Sequence, residues 1–325
     1  MNTPNASVLS VHNLRVGLSR EQQNIELVRG VSFDLHPGEI LGVVGESGSG
    51  KSLTSYSLVG LLEPPLSILD GHILFEDEDL TQLSEHNLRA IRGDKISFIF
   101  QDPMVALNPV LTIGEQMAEA IFSHARVSTD DVRKRSIQAM QAVGIPSPAE
   151  RLNSYPHEFS GGMRQRVVIA IAFLNQPEII IADEPTTALD VTIQAQIIAE
   201  MQDMVQARNT AVIWVTHDLA LLSGFADRIA VMYAGEVVEL GDAAQVINAP
   251  QHPYTKALIE ALPVEGREEL TVLEGFPPNL MENFKGCAFA PRCPQAKAKC
   301  KQVEAPVISD ELSYIRCHFP LGGAS

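Results

Sequence analysis

Eight consecutive residues, Gly45, Glu46, Ser47, Gly48, Ser49, Gly50, Lys51 and Ser52, bring three kinds of group together at fixed spacing. Glycines let the backbone curl so that successive N–H groups point inward at an anion, and a helix starting there adds positive potential. Lys51 supplies a point charge for terminal phosphates and Ser52 a hydroxyl for Mg²⁺. The apolar run 40–44 before the loop and the helix-like segment after it are the context such a phosphate-binding loop requires; a flexible Gly/Ser turn is a poor competitor. A second element, Asp183-Glu184, ends the apolar run 179–182. Neighbouring side chains on a strand point to opposite faces, so the two acids can do different work. Asp183 is expected to hold Mg²⁺, directly or through water, and Glu184 to polarise an attacking water as general base.

The four cysteines, Cys287, Cys293, Cys300 and Cys317, all fall in the last forty residues, separated by five, six and sixteen positions. Four soft thiolates can close a tetrahedral metal site or hold a cubane iron-sulfur cluster. The tight two-to-four-residue pair usual for structural zinc is missing.

These groups need a scaffold. Apolar segments at 40–44, 96–100, 179–182, 211–216 and 229–233 alternate with helix-length stretches, which predicts an α/β fold around a largely parallel sheet. Between about 102 and 160 the strand signal gives way to helical spacing, as in Ile113, Met117, Ala120, Ile121 and again Ile137, Met140, Val143, so this is expected to be a helical subdomain. After Gly241 prolines crowd in, which suits a loop-rich appendage better than more sheet. The expected organisation is a nucleotide-binding domain over 1–245 and a small cysteine-bearing extension over 246–325.

Composition removes whole classes of function. With 24 Lys+Arg against 40 Asp+Glu the net charge is −16, which argues against a nucleic-acid clamp. Hydrophobic residues make up 45 % of the 325, enough for a sizeable core and far from the profile of disorder. No apolar run approaches the roughly 18 to 20 residues that cross a bilayer. The polar N-terminus carries no basic segment followed by an apolar one, so a reducing, cytoplasmic setting is expected and disulfides are disfavoured.

Phe159-Ser160-Gly161-Gly162-Met163-Arg164-Gln165-Arg166 opens an apolar helical segment shortly before the acid pair. It resembles the signature motif of ABC-type ATPases: a small hydroxyl and two glycines at a helix N-terminus make a second anion nest. Gln101 after the run 96–100, Ala188-Leu189-Asp190 after the acid pair and His217 after the run 211–216 fall in the family's order. The resemblance implies a P-loop ABC-type cassette that hydrolyses ATP with Mg²⁺. Two cassettes would pack head to tail, with Ser160, Gly161 and Gly162 of one facing the γ-phosphate held by the other. Gln101 would sense Mg²⁺ and the attacking water and begin the segment that contacts the membrane subunit. Asp190 would cross the dimer interface, and His217 would hold the γ-phosphate and orient the water. Phe159 and Met163 depart from the usual signature, though the small nest residues are kept. The aromatic that usually stacks on adenine is missing from 15–26, which leaves base recognition open; Arg20 or Arg29 could stack instead, as guanidinium planes can, and modest adenine selectivity is expected.

Gln251-His252-Pro253-Tyr254-Thr255-Lys256-Ala257-Leu258 and the cysteine tail resemble the C-terminal extension of oligopeptide and dipeptide importer ATPases. That branch implies a second, distinct cassette, two transmembrane permease subunits, an extracytoplasmic solute-binding protein, and a peripheral position on the cytoplasmic face of the inner membrane. It also implies a [4Fe-4S] cluster on the four cysteines, with Zn²⁺ as the alternative. Nickel, glutathione or haem remain alternative cargoes. A soluble ABC ATPase acting outside transport is disfavoured by the single P-loop and the lack of extended heptads.

Overall fold

The computed structural model describes residues 7–19, 24–187, 189–262, 273–281, 284–309 and 312–322. The chain divides into two compact units, one built mainly from Gln82–Val215 with Leu35–Glu39, the other from Leu9–Asp34, Ile40–Thr81 and the chain after Thr216.

In the first unit, strands Ile96–Ile99, Ile179–Asp183 and Ala211–Thr216 lie parallel, paired Ile96↔Ile179 through Ile99↔Ala182 and Ile179↔Ala211 through Asp183↔Val215. The central one, Ile179–Asp183, opens on an unbroken aliphatic run because it is buried on both faces, which leaves no alternation to see: Ile179, Ile180, Ile181 and Ala182 are all fully buried. The helical stretch forms Ile113–Phe122 and Thr129–Ala142. The first is opened by a reciprocal Thr112–Glu115 capping box and buries Ile113, Met117 and Ile121, one stripe at helical spacing. The second is capped by Ser128 and buries Val132, Ser136 and Met140. Its inner face therefore runs through Ser136, and Ile137 sits only half-buried at the edge. Ser136 can occupy the core because its hydroxyl donates to the Val132 carbonyl one turn back.

In the second unit, Ile40–Val44 and Arg228–Tyr233 run parallel, from Leu41↔Arg228 to Val44↔Val231. Glu236–Asp242 returns antiparallel on Arg228–Tyr233 after Ala234 and Gly235, both at positive φ (50° and 83°). A separate antiparallel sheet pairs Leu9–Leu18 with Leu66–Phe75. The C-terminal extension is loop-rich, yet it also adds strand: Tyr314–Arg316 pairs with Glu236–Asp242, and Val307–Ser309 with Tyr314–Arg316. Pro306 is the last proline before that hairpin, so the ladder there meets no missing N–H until Pro320. Among the described residues no helix is long and apolar enough to cross a membrane.

Candidate functional site

The buried strand Ile40–Val44 runs straight into the glycine loop, which delivers its last residue to the N-terminus of helix Lys51–Leu58. Two glycines are obligatory for physical reasons. A Cβ on Gly45 would stand 2.1 Å from the Met232 carbonyl oxygen, and Gly50 holds φ at 102°, where a side chain is strained. Gly48 also lies at positive φ. The Gly235 N–H donates to the Ser49 carbonyl at 2.9 Å. Lys51 is buried; its Nζ donates to the carbonyls of Gly45 (2.8 Å) and Glu46 (3.0 Å), folded back across the loop it is expected to serve. Ser49 Oγ lies buried with no hydrogen-bond partner among the described residues. A buried orphan hydroxyl is costly, and a polar ligand in the loop would satisfy it. The loop thus fits a Mg²⁺-triphosphate.

In the first unit, Asp183 is buried at the tip of its strand, and Glu184 has already left the strand. Its φ is 47°, and its N–H donates to the Val215 carbonyl at 3.0 Å. The two acids are separated by this left-handed kink rather than by simple strand alternation, a strained geometry of the kind found at reactive positions. Gln101 Nε2 and the Thr187 hydroxyl both donate to Glu184 Oε2, each at 3.1 Å. The sequence-expected pair Gln101 and Glu184 is therefore brought together, with Thr187 as a third member that sequence reasoning missed.

Ser160 caps helix Gly161–Ala172, its Oγ accepting the Met163 N–H at 3.4 Å. A Cβ on Gly161 would meet nothing within 4 Å, whereas one on Gly162 would meet Ile193 Cγ2 at 3.0 Å. Asp190 caps helix Val191–Arg208 through the Ile193 N–H at 3.0 Å. Signature tip and Asp190 are thus neighbouring helix starts. Ala188 lies outside the described residues. His217 is exposed immediately after strand Ala211–Thr216, and Asp218 beside it caps the next helical turn.

Arg29 does not have the freedom that adenine stacking would need. Its guanidinium sits 4.4 Å over the Phe284 ring and 3.9 Å from Glu236, with the side chain 16 % exposed. Phe284 and Glu236 hold that cation, so the expectation for Arg29 is corrected. Arg20 lies outside the described residues.

All four cysteines are free thiols. The Cys287 N–H donates to the Cys300 carbonyl at 2.8 Å. Burial pushes the Cys287 thiol up to about 11, and Cys317 adds to the rise. Burial also raises Cys293, which feels Cys300, and Cys317, which feels Cys293 and Cys300. The thiols therefore share one neighbourhood, although among the described residues no three His, Cys, Asp or Glu groups are gathered as a metal would require. The donor set fits a soft metal group in kind; a bound cation would offset the burial that raises Cys287, Cys293 and Cys317.

A strand, a glycine loop that closes on a buried lysine, a kinked strand-end glutamate under a glutamine, and a serine-capped glycine nest define an ABC-type ATPase cassette. The ABC transporter family model matches residues 28–187, and the model of the oligopeptide/dipeptide transporter C-terminal region matches 238–300. The chain belongs to the ABC transporter ATP-binding proteins that carry this C-terminal region. It is 51 % identical to the dipeptide transport ATP-binding protein DppD of Bacillus subtilis over 91 % of this chain and 89 % of that one. It is 44 % identical to DppD of Escherichia coli over 98 % of each. Among solved structures, the ATP-binding cassette MJ0796, a dimer in a post-hydrolysis state with ADP and Pi, matches with a TM-score of 0.64 and 29 % identity, covering 72 % of this chain and 98 % of that one.

Proposed function

We propose that the chain is the ATP-hydrolysing subunit of an importer of dipeptides or short oligopeptides, peripheral on the cytoplasmic face of the inner membrane. The carrying observation is the 51 % identity to a dipeptide transport ATP-binding protein over nine-tenths of the chain, extension included. In this reading the amides of Gly45–Ser52 and the Lys51 ammonium bind the phosphates and stabilise charge on the transferring group. Mg²⁺, held by Ser52, Asp183 and Gln101, would neutralise the triphosphate. Glu184 takes the proton of the attacking water, and His217 holds the γ-phosphate and orients that water. Ser160, Gly161, Gly162 and Asp190 act across a dimer, on the nucleotide of a second and distinct cassette.

Two permease subunits, served by an extracytoplasmic solute-binding protein, complete the assembly. Docking to a permease is supported by an apolar cavity of about 220 Å³ in the first unit, with Phe98, Phe100 and Leu107 in its wall. Met104 and Val105 stand exposed just after Gln101. Cys287, Cys293, Cys300 and Cys317 would hold a [4Fe-4S] cluster, which would cross-link the proline-rich extension, with Zn²⁺ as the alternative occupant. Iron and acid-labile sulfide in anaerobically purified protein support the first; colourless protein with stoichiometric zinc supports the second.

The test is Glu184→Gln in the assembled transporter. Turnover is expected to fall by about 10² or more while ATP binding persists; unchanged hydrolysis would overturn the assignment of the base.

A further inference from the structure

Glu46, the second residue of the phosphate loop, is gripped from the C-terminal extension by two separate contacts. Its carboxylate takes both arms of the Arg292 guanidinium, Nη1 to Oε2 at 2.7 Å and Nη2 to Oε1 at 2.9 Å. Its backbone N–H donates to the Tyr254 hydroxyl at 3.0 Å. The Arg292 side chain is only 4 % exposed, and a sheltered bidentate pair is among the stronger and more directional polar contacts available to side chains. The guanidinium also lies 5.7 Å from the Tyr233 ring centroid.

Behind the pair is an aromatic block. Tyr233 and Tyr254 have centroids 4.5 Å apart, and Phe289 packs edge-on to both, at 5.3 and 5.4 Å. Phe289 and Arg292 both belong to the short segment bounded by Cys287 and Cys293. On the loop's other side the Glu46 carbonyl accepts from Lys51 Nζ. One peptide is thus fixed by the extension at its N–H and side chain, and by the phosphate-binding lysine at its carbonyl. A loop with three glycines among its eight residues loses much backbone entropy when ordered, and an external brace moves part of that cost from nucleotide binding to folding.

We propose that Arg292 and Tyr254 are positioning residues for the phosphate loop: by fixing Glu46 they preset the loop for the triphosphate, so that nucleotide affinity depends on the folded C-terminal extension. This rests on reading the Lys51 loop as the triphosphate site, and the test separates the two claims.

Binding of a non-hydrolysable MgATP analogue to the 325-residue chain is measured by calorimetry for the parent, K51A, R292A, R292K, E46Q, Y254F and the E46Q/R292A double variant. K51A is expected to lose binding. R292A and E46Q should each raise Kd about tenfold and the double variant no further, the signature of one shared interaction. R292K should fall between R292A and the parent, and Y254F, lacking only a hydroxyl, should raise Kd about threefold. In the assembled transporter, R292A should raise KM for ATP with kcat held within about twofold. Parent-like affinity in R292A, E46Q and Y254F, beside a dead K51A, overturns the brace and leaves the triphosphate reading standing. Parent-like binding in K51A overturns that reading itself. Should R292A fail to fold, E46Q and Y254F decide the question, because each leaves Arg292 in place.

Discussion

The molecule carries two glycine nests at helix N-termini, and they are built in opposite ways. The loop before Lys51 is exposed at its crown, Ser47 and Gly48, but enclosed at its two ends: Gly45 has no room for a methyl group beside the Met232 carbonyl, Ser49 and Lys51 are buried, and Glu46 is braced by Arg292 and Tyr254. The tip at Ser160 and Gly161 is exposed, and nothing stands within 4 Å of where a Gly161 side chain would begin. An anion needs donors on several sides, and the nest before Lys51 draws more of its surroundings from the chain's own folded interior. The open nest has the dipole and the N–H groups of a helix start, but among the described residues nothing faces Gly161 within 4 Å. The difference explains in physical terms why the proposed mechanism gives the second nest to a nucleotide held by another cassette.

Substitutions at the two nests put the contrast at risk. Gly45→Ala should give the largest loss of stability, about 2–3 kcal/mol, because the new methyl meets backbone that cannot turn aside; chemical denaturation measures it. A parent-like midpoint would mean that the enclosure is looser than its geometry. Acid comes next. Burial pushes His252, which caps helix Pro253–Glu260 beside Tyr254, down to about 3. The folded pKa lies below the unfolded one, so the unfolded chain binds more protons and this contribution to stability falls as pH drops below about 6.5 toward 3. The slope is about 1 kcal/mol per pH unit in mid-window. In His252→Asn, where an amide can still cap the helix, denaturation between pH 5 and 6.5 should be flatter than in the parent; an unchanged slope would remove His252 as its cause.

Ser160→Ala comes third, costing about 1 kcal/mol through the lost cap. Gly161→Ala should change stability least, within about 0.5 kcal/mol, yet depress ATP hydrolysis in the assembled transporter at least tenfold. Full activity there would show that the open nest has no ligand. Together the two glycine substitutions distinguish a nest that holds up the fold from one that serves only a partner.

Much of the candidate site was legible because its members are contiguous. Gly45–Ser52, Asp183-Glu184 and Ser160-Gly162 each pack donors, acids or small residues into a few positions, and chain connectivity guarantees that these stay together. The five core strands announced themselves through largely apolar runs. Other features left no local trace. The left-handed turn at Glu184 looks in the sequence like one more strand residue. Thr187 is one threonine among many until its hydroxyl is found on Glu184. Arg29 looked available for a base, and only packing placed it on Phe284. The strands Val307–Ser309 and Tyr314–Arg316 were hidden by the prolines around them.

The sequence by itself determined which reactive groups the chain holds side by side, since motif spacing is fixed by covalent geometry: a glycine loop ending in Lys51 and Ser52, acids at a strand end, a capped glycine nest and four clustered thiols. Tertiary structure decided which of these parts is supported and by what. Arg292 reaches Glu46 across 246 residues of chain, and no periodicity or propensity encodes a pair so distant. Such a contact exists only because strand pairing and the Tyr233, Tyr254 and Phe289 block bring the two segments within a hydrogen bond of each other.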